Sequence, residues 1–362
     1  MVKVMKFIHC SDLHLDSKID ALSSEKSKIR RDEIVRSFER LASYAVENSV
    51  VAIFIAGDMF DTTRITEKTK KRVLNVICSN PQVDFLYVSG NHDDDSFFSQ
   101  IESMPKNLKI FSDSWLSYRY DDVVVSGVNF NSVNADSIFG TLNLNDKDVN
   151  IVLLHGQIVG YKSNEKAEII PIPKLRDKNV DYLALGHIHS YSEGKIDNRG
   201  KYVYSGCLDG RGFDETGDKG FVLINVEDGK LQSEFVSFSS RQLHEFEFNV
   251  SGYENWFQAR DNAIKDLTTK YQLTDLIKVV LVGDKTTDFD IDVDEFASLL
   301  NSYFFFAKVY DETQIKISLT DYEFDKSLKG EFVRAVWESD MEEQMKQRVI
   351  MCGIKALKGE EY

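Results

Sequence analysis

Side chains able to bind metal ions recur at equivalent places along this chain, each shortly after an apolar segment. The chain has seven histidines, and five of them follow such segments directly: His14, His92, His155, His187 and His189. Asp12, Asp58 and Asn91 add carboxylate and amide oxygens at the same places. Mixed oxygen and imidazole ligands suit Mn²⁺, iron or Zn²⁺ better than Ca²⁺, which prefers oxygen ligands alone. The repeated pattern therefore predicts a site for such metals.

These groups are numerous enough for two metal ions. The predicted ligands are Asp12, His14, Asp58, Asn91, His155, His187 and His189. With one bridging carboxylate they would form two sites of about four protein ligands each, leaving positions for water and substrate. Two ions roughly 3.5–4 Å apart suit in-line displacement at phosphorus, because they stabilise both the attacking and the leaving oxygen. His92 lies next to Asn91, a position that suits a proton donor to the leaving oxygen.

Apolar segments must bring these groups to a common edge, and we expect each segment to be a β-strand. Residues 51–56 form an apolar run before Gly57 and Asp58, which is typical of a buried parallel strand opening into a turn. Open α/β folds bind ligands at the carboxyl edge of the sheet, so Asp58 is expected there. Asp12 and His14 are one residue apart, so in an extended segment both would face the same way. Further strands are predicted at residues 4–9, 83–89, 150–154 and 182–185.

The charge of the chain limits how it could contact a nucleic acid. The net charge is −15 and the pI is about 5.0, which excludes coating of nucleic acid through bulk positive charge. A local basic segment at residues 64–72 is the exception, and it follows the predicted site closely. Its predicted phosphate-backbone contacts are Arg64, Lys68, Lys71 and Arg72. The alternative interpretation of this segment is an ordinary solvated helix face.

The chain of 362 residues is longer than one average domain, and its pattern changes near residue 240. Residues 1–240 contain every predicted ligand, and strands at 201–205 and 220–226 are expected to be antiparallel and to close the sheet. Residues 241–320 are expected to form a small α+β domain, and residues 321–362 a helical segment. An apolar stripe in that segment, formed by Met341, Met345, Val349, Cys352 and Ala356, would contact either its own domain or a partner helix.

The four cysteines and the apolar segments indicate where the protein resides. Cys10, Cys78, Cys207 and Cys352 are widely separated, which fits reduced thiols better than a disulfide framework or a zinc ribbon. No signal-peptide pattern opens the sequence, and no apolar run approaches the length of a membrane span. We therefore expect a cytoplasmic protein without a membrane segment. The sequence contains neither a G-x-G-x-x-G motif after a strand nor a G-x-x-x-x-G-K-[ST] motif, so no ATP site is predicted.

Five short motifs, in this order along the chain, resemble those of the calcineurin-like metallophosphoesterases. They are DLH, GDMFD, GNHD, LLHG and GHIH, and they extend from Asp12 to His189. The resemblance implies the α/β class, as a four-layered αββα sandwich with a dimetal site at one edge. It assigns one metal to Asp12, His14, Asp58 and His189. It assigns the other metal to Asp58, Asn91, His155 and His187, with His92 as the catalytic histidine.

Longer segments narrow the resemblance further. IHCSDLHLDS, GNHDDD and GRGFDETGDKGF are similar to the SbcD/Mre11-type DNA repair exonucleases, especially the YhaO-like branch. This implies a Mn²⁺-dependent DNA exonuclease or endonuclease, usually a homodimer, with residues 241–320 as a capping domain. It also implies that the C-terminal helices bind an SbcC/Rad50-type coiled-coil ATPase. Some of these nucleases have a histidine three residues after the bridging aspartate, where this chain has Asp61. The resemblance therefore does not imply from which end this chain would degrade a DNA strand.

Two other functions compete with a DNA nuclease. One is a phosphodiesterase or phosphatase that acts on small substrates or phosphoproteins. The chain lacks the GDxVDRG and GNHE motifs that are typical of phosphoprotein phosphatases. The other is a catalytically weak scaffold for an ATPase. The complete set of predicted ligands, together with His92, argues against a scaffold, because a site without a function should have lost at least one of them.

Overall fold

The computed structural model describes residues 4–19, 22–61, 65–93, 96–99, 101, 103–160, 168–316 and 319–358. Arg64, one of the predicted phosphate contacts, lies outside these residues. The chain divides into two compact units, residues 1–242 and 243–362. None of the helices in the described part of the chain is long and apolar enough to cross a membrane.

The first unit contains two large β-sheets with helices outside them. Its described strands are β1 (Met5–Cys10), β2 (Val50–Ala56), β3 (Asp84–Val88), β4 (Leu108–Ile110), β5 (Leu116–Tyr120), β6 (Val123–Gly127), β7 (Val149–His155), β8 (Gln157–Ile158), β9 (Ile169–Ile170), β10 (Tyr182–Gly186), β11 (Ser192–Lys195), β12 (Lys201–Tyr204), β13 (Gly220–Glu227) and β14 (Lys230–Ser237). Its described α-helices are α1 (Ser24–Glu47), α2 (Glu67–Ser79), α3 (Ser96–Ser99) and α4 (Ile138–Thr141).

Parallel strands form the centre of each large sheet. The first sheet has the order β14-β13-β1-β2-β3-β4, and β1 to β4 run parallel. The second has the order β11-β12-β10-β7-β6-β5, with β12, β10, β7 and β6 parallel. Parallel neighbours end at the same edge, so each sheet brings the carboxyl ends of its central strands together.

Apolar side chains on both faces of these strands build the layers. In β1, Phe7 points into the core between the two sheets, and Ile8 points into the core under the helices. From α1, Phe38 and Leu41 pack on that outer face. The outer face of the second sheet is covered by short elements that include Phe139 of α4. Burial on both faces explains why these strands read as continuous apolar runs. The predicted α/β class and four-layered αββα sandwich are confirmed.

Two predicted strands do not pair as the sequence pattern indicated. β12 runs parallel to β10 in the second sheet, whereas β13 runs antiparallel to β1 in the first. The expectation that both close one sheet as antiparallel strands is therefore wrong. An apolar run predicts a strand but not its neighbour, which depends on how the connection after β12 crosses between the sheets.

The second unit is a smaller domain of mixed strands and helices. Its described strands are β15 (Leu243–Asn249), β16 (Leu276–Val282), β17 (Asp284–Lys285), β18 (Phe306–Asp311) and β19 (Gln314–Ile315). Its described α-helices are α5 (Trp256–Lys270), α6 (Val293–Tyr303), α7 (Leu328–Trp337) and α8 (Glu343–Lys358). β15, β16 and β18 form a parallel sheet, and α5 and α6 pack on one face of it through Trp256 and Phe296.

The last two helices pack together through a face of α8 that includes Val349 of the predicted apolar stripe but leaves the other members of the stripe exposed. Val333 and Val336 of α7 contact Ile350 and Ile354 of α8 in a small buried cluster. From the stripe, Met345 is 49% exposed, Met341 40% exposed, and Cys352 and Ala356 are also exposed. Docking of the whole stripe on its own domain, one of the two alternatives, is therefore not observed. The rest of the packed face lies beside the stripe on α8.

His9 is buried between the two sheets and should make stability depend on pH. Its Nδ1 lies 2.9 Å from the Tyr182 hydroxyl, and its Nε2 lies 3.2 Å from the Leu185 carbonyl oxygen. Burial lowers the pKa of His9 from 6.5 to about 3, outweighing the opposite effect of the Leu185 carbonyl. Between these pH values the unfolded chain binds a proton at this residue and the folded chain does not. Stability is therefore expected to fall as the pH decreases through this range, by at most about 1.4 kcal/mol per pH unit from this group.

Urea unfolding in EDTA between pH 4 and pH 7 would measure this effect. The His9→Gln variant should show a shallower pH dependence than the unmodified chain, because glutamine does not titrate. Equal slopes for the two proteins would contradict the assignment to His9.

Candidate metal centre

The carboxyl ends of the central strands of both sheets meet at one edge, and two glycines permit the close approach. A Cβ atom on Gly186 would lie 1.8 Å from the carbonyl oxygen of Ala56, which ends β2. Gly57 has a φ of +86°, and a Cβ atom there would lie 2.1 Å from Nδ1 of His155. Glycine is therefore required at both positions, where β2 of the first sheet contacts β7 and β10 of the second.

Four of the predicted ligands have backbone angles that side chains rarely adopt. The φ angles are 51° for Asp12, 42° for His14, 50° for Asp58 and 100° for His187. The expectation that Asp12 and His14 lie in an extended segment is therefore wrong, because β1 ends at Cys10. Each such residue costs on the order of 1–3 kcal/mol, and such strain typically persists where surrounding structure enforces a functional geometry. Asp12 N and His14 N donate to carbonyl oxygens of the loop after β2, at 3.1 and 3.0 Å.

The first cluster of donor atoms consists of Asp12, His14 and His189. Nε2 of His14 lies 3.1 Å from Nε2 of His189, which lies 3.9 Å from Oδ1 of Asp12. One potential ligand atom from each residue falls within 4.8 Å of those of the other two. Asp12 and His14 lie in the loop after β1 and His189 in the loop after β10, and their donor atoms converge on one point.

The second cluster consists of Asp58, Asn91, His155 and His187. Oδ1 of Asn91 lies 2.9 Å from Nε2 of His155 and 3.2 Å from Nδ1 of His187. Nε2 of His155 lies 3.3 Å from Oδ2 of Asp58. The Ala56 carbonyl oxygen lies 2.9 Å from the other ring nitrogen of His155, which fixes that ring with Nε2 in the cluster. The structure thus brings together all seven side chains predicted as ligands.

Asp58 borders both clusters. Its Oδ1 accepts a hydrogen bond from His92 N at 2.9 Å. Its buried Oδ2 has no hydrogen-bond partner among the described residues and faces His155. Burial favours protonation, but His155 and His14 nearby more than compensate and hold the pKa of Asp58 below its ordinary value. An ionised buried oxygen without a hydrogen bond is costly, and a bound cation would remove that cost. The donor atoms therefore fit a dimetal centre.

Asp61 connects the first cluster to His92, which the sequence did not indicate. Its Oδ1 lies 3.2 Å from Nδ1 of His14 and 3.3 Å from Nδ1 of His92. Its Oδ2 accepts from the Ser17 hydroxyl at 2.8 Å. Burial raises the pKa of Asp61, but the contacts with His14 and Ser17 outweigh it and lower the pKa to about 2. The side chain of His92 is 26% exposed, so substrate can reach it.

The connection between β12 and β13 supplies further residues that sequence reasoning missed. Oε1 of Glu215 lies 2.8 Å from Nδ1 of His189 and accepts from Arg211 Nη2 at 2.8 Å. Lys219 Nζ donates to the backbone oxygen of His189 at 2.7 Å. No periodic pattern marks this glycine-rich segment. The available signals were its similarity to SbcD/Mre11-type sequences and its charged residues, and neither assigned a contact to Arg211, Glu215 or Lys219.

The basic segment after the site is less available than its composition suggested. Arg72 pairs with Asp32 at 2.6 Å and with Glu39 at 2.7 Å. Lys68 and Lys71 are exposed on α2. Because Asp32 and Glu39 compensate the charge of Arg72, most of the positive charge that this helix presents to solvent lies at Lys68 and Lys71.

The chain belongs to the calcineurin-like phosphoesterase family, whose family model matches residues 5–191. It is therefore a metal-dependent phosphoester hydrolase, and family and converging donor atoms together indicate a dimetal site.

Three relatives illustrate the range of similar proteins. The uncharacterized metallophosphoesterase YhaO of Bacillus subtilis is 27% identical over 65% of this chain and 60% of that protein. The DNA double-strand break repair protein Mre11 of Methanosarcina acetivorans is 22% identical over 74% of this chain and 44% of its own length. Mre11 of Sulfurisphaera tokodaii is 21% identical over 94% of this chain and 91% of its own. The chain thus spans less than two thirds of the first two relatives. These similarities are consistent with the suspected SbcD/Mre11-type resemblance.

Proposed function

We propose that this protein hydrolyses phosphodiester bonds of DNA, as an Mre11-like exonuclease or endonuclease. The observation that carries the proposal is the extent of the likeness to a DNA repair protein, which reaches 94% of this chain. The likeness to that Mre11 protein therefore includes the second unit. It is not confined to residues 5–191, the part of the chain that matches the general phosphoesterase family.

Each metal ion has its own set of protein ligands in this proposal. Asp12, His14 and His189 hold one ion, Asn91, His155 and His187 hold the other, and Asp58 binds both. Two ions held by these residues would supply Lewis-acid polarisation of the phosphoryl oxygens and a water of lowered pKa. Mn²⁺ is the proposed metal, and iron and Zn²⁺ are the alternatives that the same donor atoms accept.

His92 acts as the proton donor to the leaving oxygen. The contact of its Nδ1 with Asp61, at 3.3 Å, orients the ring beside the first cluster. Its ring centroid lies 5.3 Å from that of His14, so it is close to the proposed metals without belonging to either cluster. An exposed edge on the imidazole allows contact with a DNA strand. This arrangement suits general acid catalysis of phosphodiester cleavage.

The lysines of α2 and a partner protein supply the contacts with DNA. Lys68 and Lys71 are exposed and contact the phosphate backbone, with Arg64 as a further contact and Arg72 in a smaller role because of its acidic partners. The net charge of −15 disfavours strong DNA binding by the chain alone. An SbcC/Rad50-type coiled-coil ATPase therefore provides most of the binding surface. The exposed apolar side chains of Met341 and Met345 are its proposed contacts.

The two remaining parts of the proposal concern organisation. Residues 241–320 act as a capping domain that helps to place DNA at the metal centre, and residues 321–362 bind the ATPase. The active form is a homodimer, as the SbcD/Mre11 resemblance implies, and it works in the cytoplasm, where the four widely separated cysteines would stay reduced.

Hydrolysis assays on three substrates test this function. The substrates are a linear DNA duplex, single-stranded DNA and a small phosphodiester, each with Mn²⁺ and with EDTA, in the presence and absence of the coiled-coil ATPase. We expect Mn²⁺-dependent cleavage of DNA that EDTA abolishes. Cleavage of the small ester with DNA untouched, even with the ATPase present, would establish a small-substrate phosphodiesterase instead. No hydrolysis of any substrate would favour a scaffold.

A further inference from the structure

Glu215 fixes the orientation of one histidine of the first cluster. Its side chain is only 4% exposed, and its Oε1 lies 2.8 Å from Nδ1 of His189. A carboxylate at this distance accepts a hydrogen bond from the Nδ1–H group. This contact favours the tautomer in which Nε2 carries no hydrogen. That Nε2 atom is the one that faces His14, at 3.1 Å. Glu215 therefore determines which nitrogen of His189 points into the cluster.

A different carboxylate lies beside the outer nitrogen of the other histidine of the cluster, at ion-pair distance. Nδ1 of His14 lies 3.2 Å from Oδ1 of Asp61, and Nε2 of His14 points toward His189. Both rings thus have a carboxylate on the outer nitrogen and present the inner nitrogen. Carboxylates placed behind metal-binding histidines commonly set ring orientation and ligand basicity.

Arg211 joins the two carboxylates. Its Nη2 and Nε donate to Oε1 of Glu215 at 2.8 and 3.1 Å, and its Nη1 lies 3.4 Å from Oδ1 of Asp61. The guanidinium group is 17% exposed, so it reaches both carboxylates in a largely dry environment. Two carboxylates this near would repel each other, and a planar guanidinium with several donors compensates both at once.

The segment that carries Arg211 and Glu215 is anchored to the core of the first unit. Asp209 makes a fully buried ion pair with Arg30 of α1 and accepts from the Ser37 hydroxyl at 2.6 Å. Helix α1 packs on the first sheet through its apolar face. These buried contacts of Asp209 with helix α1 therefore hold the segment that carries Arg211 and Glu215 in place.

We propose that Glu215 and Arg211 are positioning residues for the first metal ion, acting through His189 and, by way of Asp61, through His14. This inference rests on the proposed function in one respect, namely that Asp12, His14 and His189 bind a metal. It predicts that removing the carboxylate at residue 215 weakens one of two metal sites and leaves the second intact. The ring of His155 in the second cluster is fixed by other groups, the Ala56 carbonyl oxygen at 2.9 Å from its Nδ1 and Oδ1 of Asn91 at 2.9 Å from its Nε2, which is why the second site should not respond.

Calorimetric titration with Mn²⁺ tests the inference in the full chain. The unmodified protein should bind two ions. Glu215→Gln should lower the affinity of one ion about 10- to 100-fold and leave the other unchanged. Asp214→Asn is the matched control, because it removes the same charge from an exposed neighbour in the same segment and should leave both affinities unchanged. A purely structural role of Glu215 would lower the melting temperature without changing one site selectively.

The outcomes separate this inference from the proposed function. Two ions bound by Glu215→Gln with unchanged affinities would overturn the inference while leaving the function intact. Absence of binding of Mn²⁺, Fe²⁺ and Zn²⁺ alike by the unmodified protein would overturn both. If Glu215→Gln does not fold, Arg211→Lys replaces it, since lysine keeps the charge but cannot bridge two carboxylates in the same way. Arg211→Lys should again lower the Mn²⁺ affinity of one site selectively, by less than Glu215→Gln. Affinities equal to those of the unmodified protein at both sites would again refute the inference.

Discussion

Replacement of Asp58 by asparagine is expected to weaken both metal sites at once and to lower kcat by about 10³-fold or more. Asp58 borders both clusters, and its Oδ2 is the buried oxygen that faces His155. Asparagine keeps the size of the side chain and can still accept from His92 N through its oxygen. It removes the negative charge, however, and the loss corresponds to about 4 kcal/mol of transition-state stabilisation.

Metal content and turnover of a small phosphodiester measure this prediction together. The Asp58→Asn variant should retain fewer than two metal ions after gel filtration and should regain little activity with excess Mn²⁺. Asp148→Asn is a suitable control, because Asp148 pairs with Arg119 just before β7, at the opposite end of that strand from His155. Two bound ions and full activity in Asp58→Asn would refute its role as a shared ligand.

Replacement of His92 by alanine is expected to lower DNA hydrolysis by about 10²- to 10⁴-fold while both metal ions remain bound. The side chain of His92 contacts Asp61 at 3.3 Å, and its backbone N–H donates to Asp58. Alanine preserves the backbone donor and therefore leaves Asp58 in place. Only the proton donor is lost, so the effect should appear in kcat and not in metal affinity.

The leaving group distinguishes a proton donor from a residue that merely shapes the site. A DNA strand leaves as an alkoxide that needs a proton, whereas a nitrophenyl ester releases an anion that is stable without one. The loss in His92→Ala should therefore be much smaller for the nitrophenyl ester than for DNA. An equal loss for both substrates would contradict general acid catalysis by His92, and a loss of metal would identify it as a ligand.

The sequence by itself determined the fold class and the convergence of the seven predicted ligands. The reason is the polarity of parallel strands, whose carboxyl ends must meet at one edge of a sheet. Asp58 and Asn91 follow strands of the first sheet, whereas His155 is the last residue of β7 in the second. Strand polarity predicts a shared edge within each sheet, and only the resemblance of the motifs implied that the two edges meet. The motifs around them carried the family resemblance as well.

Only the tertiary structure decided which residues contact the predicted ligands from outside the two clusters and which charged side chains are compensated by ion pairs. Asp61 is near His92 and Arg211, and Glu215 is near His189, through contacts between segments far apart in the sequence. Such contacts follow no local period. Those of Arg211 and Glu215 depend on how the connection after β12 crosses from one sheet to the other, and that of Asp61 with His92 depends on the packing of the loops after β2 and β3. The same reason applies to Arg72, whose acidic partners lie on another helix. Local pattern specifies elements and their polarity, whereas ion pairs between elements arise only from their packing.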